Sequence, residues 1–265
     1  MLRDRERGLV ISVDYHADLK EVQSDALLGP CLSAAGQSAP FDRLDWWRAL
    51  GEHCGLAPLL AVARDGDAMA VLPLANATGH LTGCANWYTF RLRPLISDAA
   101  RGPALVETIA RGLASRAHRV TLSGLPDEDG SATLVENAFR AAGWLVNREA
   151  CDTNHVLALG GRGYDEYLAG RPGKLRTTLK RKSGKVETQV LTRFDEATWA
   201  DYEAIYGQSW KPEEGSPAFL RAFAEAEGAA GRLRLAVAHA AGPEGRTAVA
   251  AQMWTVEGGT AYIHK

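Results

Sequence analysis

No apolar run in the 265-residue sequence reaches 18 residues, so no membrane-spanning helix is expected. The opening, MLRDRERGLVISVDYHADLK, holds only a short apolar stretch from Leu9 to Val13. No small-residue cleavage site follows it, so no secretory leader is expected either. Cysteine is scarce. Cys31, Cys54, Cys84 and Cys151 form no CxxC pair, and His53 beside Cys54 is not ligand spacing, so no metal site is expected. The four read as reduced thiols in a cytoplasmic chain. Serine hydrolysis also lacks support: no G-x-S-x-G occurs, and Ser123 and Ser183 have no His/Asp partner pattern. With 30 basic residues against 32 acidic ones the net charge is −2, so any contact with a polyanion must be local.

What remains is the composition of an ordinary folded protein, 46% hydrophobic and long enough for two medium domains. The many alanines, and arginine in 23 of the 30 basic positions, point to a GC-rich bacterial coding sequence.

An entry strand is expected at Leu9–Val13. In FDRLDWWRALGEHC, apolar residues recur every three or four positions from Phe41 to Cys54, which predicts a helix. Leu59–Arg64 and Ala68–Leu74 flank the turn Asp65-Gly66-Asp67 as a hairpin, with Pro73 at an edge or a bulge. Further strands are expected at Leu92–Ile96, Val120–Ser123, Trp144–Val146 and His155–Leu159, with helices at Pro103–Ala117 and Ser131–Ala142. Gly143 ends the second of these. Beyond residue 160 the pattern reads as helix Tyr164–Ala169, a basic helix, strand Val186–Thr192 and helices Glu196–Trp210 and Pro217–Glu227. Strands Leu233–His239, Thr247–Val256 and Thr260–Ile263 follow.

One tetrapeptide repeats. Leu60-Ala61-Val62-Ala63 recurs 175 residues later as Leu235-Ala236-Val237-Ala238. Each copy follows an aromatic-anchored helix and precedes a turn and a strand. This order predicts an α/β protein of two similar halves: an N-terminal arm over 1–40, a first half over 41–160 and a second over 161–265. Only 27 residues follow Ala238, so the second half is expected to stop at its third strand.

Three stretches carry a family resemblance: FDRLDWWRAL with LLAVARDGDAMAVLPL, YDEYLAGRPGKLRTTLKRKSGKVE, and AVAAQMWTVEGGTAYIHK. On these, the chain from about Phe41 to Lys265 resembles the CelD-like group of GNAT-superfamily acyltransferases, proteins of two GNAT-like halves related to the FemAB transferases. The resemblance implies transfer of an acyl group from acyl-coenzyme A, such as acetyl-coenzyme A, to an amine on a small molecule or glycan precursor of exopolysaccharide or cell-envelope synthesis. It also implies a Q/R-x-x-G-x-G/A loop whose amides cradle the pyrophosphate at a helix N-terminus. In the first half that loop falls at Ala99-Ala100-Arg101-Gly102-Pro103-Ala104, where Ala99 replaces Gln or Arg and Pro103 removes an amide, so this half is expected to be scaffold. In the second it is expected just after Lys265, which would leave the chain as given without its cofactor loop. A FemAB-like aminoacyl transferase using transfer RNA, or a binding protein without catalysis, are the other readings.

The candidate site residues follow. Arg171–Lys185 holds seven cations and no acid, with Leu175 and Leu179 expected as a narrow buried stripe. Lys180, Arg181 and Lys182 are candidates for the coenzyme A phosphates, and Arg176 for the acceptor. Trp210 and Lys211 are candidates for a pocket wall. Gln252 and Trp254 share one face of their strand, with Met253 on the other, and Gln252 is a candidate for orienting substrate. Tyr262 and His264 alternate to one face of the last strand and are the candidate catalytic pair. Glu257, in the turn EGG, is expected in solvent.

Overall fold

A computed structural model of the chain describes residues 11–77, 79–209, 215–242 and 245–264. It divides into two compact units, one of residues Met1–Asp152 with Gly215–Phe219, the other of Thr153–Glu214 with Leu220–Lys265.

In unit 1, β1 (Ser12–His16), β2 (Pro58–Asp65), β3 (Ala68–Ala77) and β4 (His80–Gly83) run antiparallel in that spatial order, and β6 (Arg119–Thr121) adds parallel to β4. Short helices α1 (Leu19–Ser24) and α2 (Leu28–Cys31) and the longer α3 (Leu44–Cys54) connect β1 to β2. The β2–β3 hairpin closes where expected, with Gly66 at φ 60°, a conformation costly for any residue with a Cβ.

Pro73 marks a break. Leu74 pairs with Gly83 of β4, whereas Val71 pairs with Leu95 of β5 (Leu95–Ile96), so the strand beside β3 is interrupted opposite Pro73. A residue without an N–H is tolerated at such a gap. The excursion from Cys84 to Pro94 also explains why the strand expected over Leu92–Ile96 shrinks to two residues.

Helices α4 (Gly102–Leu113) and α5 (Ser131–Ala141) pack through Leu105, Ile109, Leu113, Val135 and Phe139 onto Ala61, Ala63, Ala70, Leu72, Leu74 and Leu81. Leu60, Val62 and Val71 point the other way and are also fully buried, so this sheet is covered on both faces. Gly143, at φ 89°, takes the left-handed position that stops α5. The strands expected at Trp144–Val146 and His155–Leu159 are absent: neither segment finds a ladder partner, and Leu145, Val156, Leu157 and Leu159 stand in solvent. Trp144 is held by its indole N–H donating to the Ala110 carbonyl at 2.8 Å rather than by pairing.

Unit 2 opens with α6 (Tyr164–Ala169) and α7 (Gly173–Ser183), followed by β7 (Val186–Leu191), α8 (Glu196–Gly207), α9 (Pro217–Ala229), β8 (Leu233–Gly242), β9 (Gly245–Glu257) and β10 (Thr260–Ile263). The strands form an antiparallel sheet in the order β10-β9-β8-β7.

Both sheets use one layout. His16 pairs with Leu60 in the first and Leu191 with Leu235 in the second, and each of these residues lies 175 positions from its counterpart. Leu74 pairs with Gly83 and Trp254 with Ile263, here 180 positions apart. The five extra residues are taken up in the longer β8–β9 hairpin. The tetrapeptide repeat therefore marks equivalent second strands.

Candidate functional site

Alternation assigns every residue of the second sheet to a face. Leu233, Leu235, Val237, Met253 and Thr255 are buried on the side that carries Trp199 and Tyr202 of α8 and Phe223 and Ala224 of α9. On the other side lie Val190, Ala236, Ala238, Ala250, Gln252, Trp254 and Ile263, exposed or half-buried. In the first sheet the corresponding face packs under α4 and α5.

Gln252 and Trp254 therefore do share the open face, with Met253 fully buried on the other. The Trp254 indole N–H donates to Gln252 Oε1 at 3.3 Å, which leaves the Gln252 amide NH₂ as a donor over a floor of alanines. By register Gln252 replaces Leu72 and Trp254 replaces Leu74 of the first sheet.

The covered face carries more polar chemistry than expected. His264, expected near the surface, is 6% exposed: its Nε2 lies 2.8 Å from the Thr255 hydroxyl, and its ring meets Phe223 edge-on at 5.0 Å. Tyr262 pairs with Thr255 and so belongs to this same face. The candidate pair of the last strand thus lies across the sheet from Gln252. Glu257 is not in solvent either. Its side chain is 6% exposed, near Arg232, which also holds Glu227 through two hydrogen bonds of 2.6 and 2.8 Å.

A further group escaped the sequence reading. His239 Nε2 sits 3.1 Å from Asp201 Oδ2, and Arg246 donates to His239 Nδ1 at 3.2 Å. The register shift between Ala238 and His239 brings this trio together across α8, β8 and β9, and no local motif signals it.

Helix α7 forms as expected, but no residue in it is buried, and Leu175 and Leu179 are 50% and 39% exposed instead of forming a buried stripe. Arg176 donates to the Ala169 carbonyl at 3.3 Å. Lys180, Arg181 and Lys182 occupy the last turn before β7, the edge strand opposite β10. The structure does not bring them to Gln252, which lies on β9. Trp210 and Lys211 lie outside the described residues.

Unit 1 contains a cleft of about 490 Å³, lined by Arg93, Ile96, Ala99, Pro103, Asp129 and Ser131 among others. The N-termini of α4 and α5 border it, and protein carboxylates already cap both. Asp98 Oδ1 accepts from the Ala100 N–H at 2.9 Å, and the Asp98 carbonyl accepts from Gly102 at 2.9 Å. Asp129 Oδ1 accepts from the Ser131 N–H at 2.9 Å. Burial pushes the Asp129 carboxyl up, but the Ser131 hydrogen bonds and the charges of Arg93 and Arg91 outweigh it and hold it below the usual carboxylate range. Two fixed carboxylates where phosphate oxygens would sit make this cleft a poor pyrophosphate cradle.

Residues 173–265 match the family model described as an acetyltransferase (GNAT) domain. A GNAT-type domain thus occupies the C-terminal part of the chain, from α7 through β10. Acyl transfer is the activity of such domains, and acyl-coenzyme A is their usual donor. None of the curated proteins matches the chain. Among the described residues no group of His, Cys, Asp or Glu is arranged to hold a metal ion, and no helix is long and apolar enough to cross a membrane.

Proposed function

We propose that unit 2 binds acyl-coenzyme A, acetyl-coenzyme A as the first candidate, and passes the acyl group to an amine. The match of residues 173–265 to a GNAT acetyltransferase domain carries this reading. Unit 1 repeats the layout with both helix N-termini capped by its own carboxylates, which suits a scaffold.

The reacting groups are assigned to the open face of the second sheet. Gln252 is the only strongly polar side chain among its central positions, and its amide is oriented by Trp254. Its NH₂ can donate to the thioester oxygen as negative charge develops there, or to the acceptor. β10 is a terminal strand, and its outer backbone groups suit pairing with the amides of the pantetheine arm. The amine attacks the thioester carbon, the C–S bond breaks, and coenzyme A leaves as the thiol after the attacking nitrogen gives up a proton. The acceptor is placed among amino sugars or other amines of exopolysaccharide or envelope precursors, in the cytoplasm. This rests on the resemblance of three stretches to the CelD-like group.

The test is release of coenzyme A thiol from acetyl-coenzyme A in the presence of a panel of amino sugars. Acceptor-dependent release supports the reading. Donor binding with no release for any amine overturns the transfer step.

A further inference from the structure

We propose that the α6–α7 segment is a peripheral docking surface for an anionic lipid bilayer. Over Arg171–Lys185 seven cations meet no acidic residue, and neither α6 nor α7 buries a single side chain. The acidic Asp165 and Glu166 lie in the first turn of α6, outside that run.

Charge alone describes a solvated helix. The apolar side chains beside it point further. Leu175 and Leu179 are one helical turn apart and stand 50% and 39% exposed. Tyr164 is 64% exposed, and Val156, Leu157 and Leu159 just upstream are also in solvent. Among the described residues, these six make up half of the twelve large hydrophobic side chains that stand exposed, within a stretch of 24 residues. Such a concentration beside unopposed cations needs a partner that is both anionic and apolar, as a bilayer surface with acidic headgroups is.

The helix geometry fits. At 100° per residue Leu175 and Leu179 lie about 40° apart on one stripe, flanked by Lys182 on one side and Arg176 on the other. Long basic side chains bury their stems and lift their charges to headgroup level while the leucines enter the boundary. A nucleic acid would satisfy the charges but leave the leucines in water, and α7 has no aromatic to stack on bases. No described helix spans a bilayer, so the attachment is peripheral.

The test is co-sedimentation of the full chain with phosphatidylcholine vesicles, with and without phosphatidylglycerol. The chain should pellet with the anionic vesicles only, and less as salt rises. The variants Leu175→Ser/Leu179→Ser and Lys180→Glu/Arg181→Glu/Lys182→Glu should each weaken binding about tenfold or more, while Lys180→Arg/Lys182→Arg should keep it. These positions are exposed, and far-UV circular dichroism with a melting curve confirms that each variant folds. Three results would overturn the proposal: no pelleting with anionic vesicles, pelleting unchanged in the leucine variant, or binding to single-stranded RNA that outcompetes the vesicles. None of these readouts depends on acyl transfer, so its failure leaves the catalytic reading standing.

Discussion

Leu72 and Gln252 occupy the same place in their two sheets: each pairs with the first alanine of its tetrapeptide repeat, Ala61 or Ala236. In unit 1 the position is a fully buried leucine under α4 and α5. In unit 2 it is an exposed amide hydrogen-bonded to Trp254. One layout thus supports a packed core in the first sheet and a polar group on an accessible face in the second.

Gln252→Leu therefore returns the first unit's residue to the second. Because Gln252 is exposed, stability should change by no more than about 0.5 kcal/mol. Acetyl-coenzyme A turnover should fall by about tenfold or more, the value of a hydrogen bond to developing charge. Comparing kcat/KM with the urea midpoint separates the two effects. Turnover that stays at the wild-type level would remove Gln252 from the site.

Asp42 is the anchor of the excursion that follows β4. Its carboxylate is 2% exposed and accepts from Arg91 at 2.7 Å and from Arg93 at 2.8 and 3.1 Å. Asp42→Asn leaves two guanidinium groups facing a neutral amide. The expected cost is about 3 kcal/mol, toward the low end for a broken buried pair because both arginines keep about a quarter of their surface in water. Urea denaturation measures it, and a loss below about 1 kcal/mol would show that the pair is not an anchor.

These relationships were unevenly legible in the sequence. The hairpin at Gly66, the helix stop at Gly143 and the repeat were readable because turn chemistry and short-range periodicity are local. The faces of Gln252, Met253 and Trp254 followed from alternation alone. What failed depended on partners distant in sequence. His264 and Glu257 looked like surface residues, because nothing nearby reveals Phe223, Thr255 or Arg232 closing over them. The strand at His155–Leu159 had the right composition but no ladder to join. The Asp201–His239–Arg246 trio depends on a register shift that no motif encodes.

Acid should destabilise the fold through capping carboxylates. Asp195 accepts from the Thr198 N–H and hydroxyl at the start of α8, and these bonds hold its carboxyl below the usual range, as the Ser131 contacts do for Asp129. A carboxylate whose folded pKa is depressed stabilises fully above its unfolded value, about 3.9, and that stability is lost as pH falls through the folded pKa. The melting temperature should be insensitive to these two groups near neutrality and fall below about pH 4. Asp129→Asn should flatten that fall. An unchanged acid limb would contradict the assignment.

Thiol reactivity should follow burial. Cys84 is fully buried and its thiol is pushed up to about 12, mainly by desolvation and also by nearby Cys54. Cys151 is exposed. In the native protein at pH 8 an aromatic disulfide reagent should modify Cys151 first and Cys84 only on unfolding, as mass spectrometry of the labelled peptides would show. Early labelling of Cys84 would contradict the packing of unit 1.

The division of labour between the two units is tested most directly by calorimetric titration of acetyl-coenzyme A into the wild type, Asp98→Ala and Gln252→Leu. Saturable binding is predicted for the wild type and, unchanged, for Asp98→Ala, which loses only a helix cap in the scaffold unit, with affinity weakened about tenfold in Gln252→Leu. No binding by the wild type, or affinity that responds to Asp98 and not to Gln252, would contradict the placement of the donor site in the second unit.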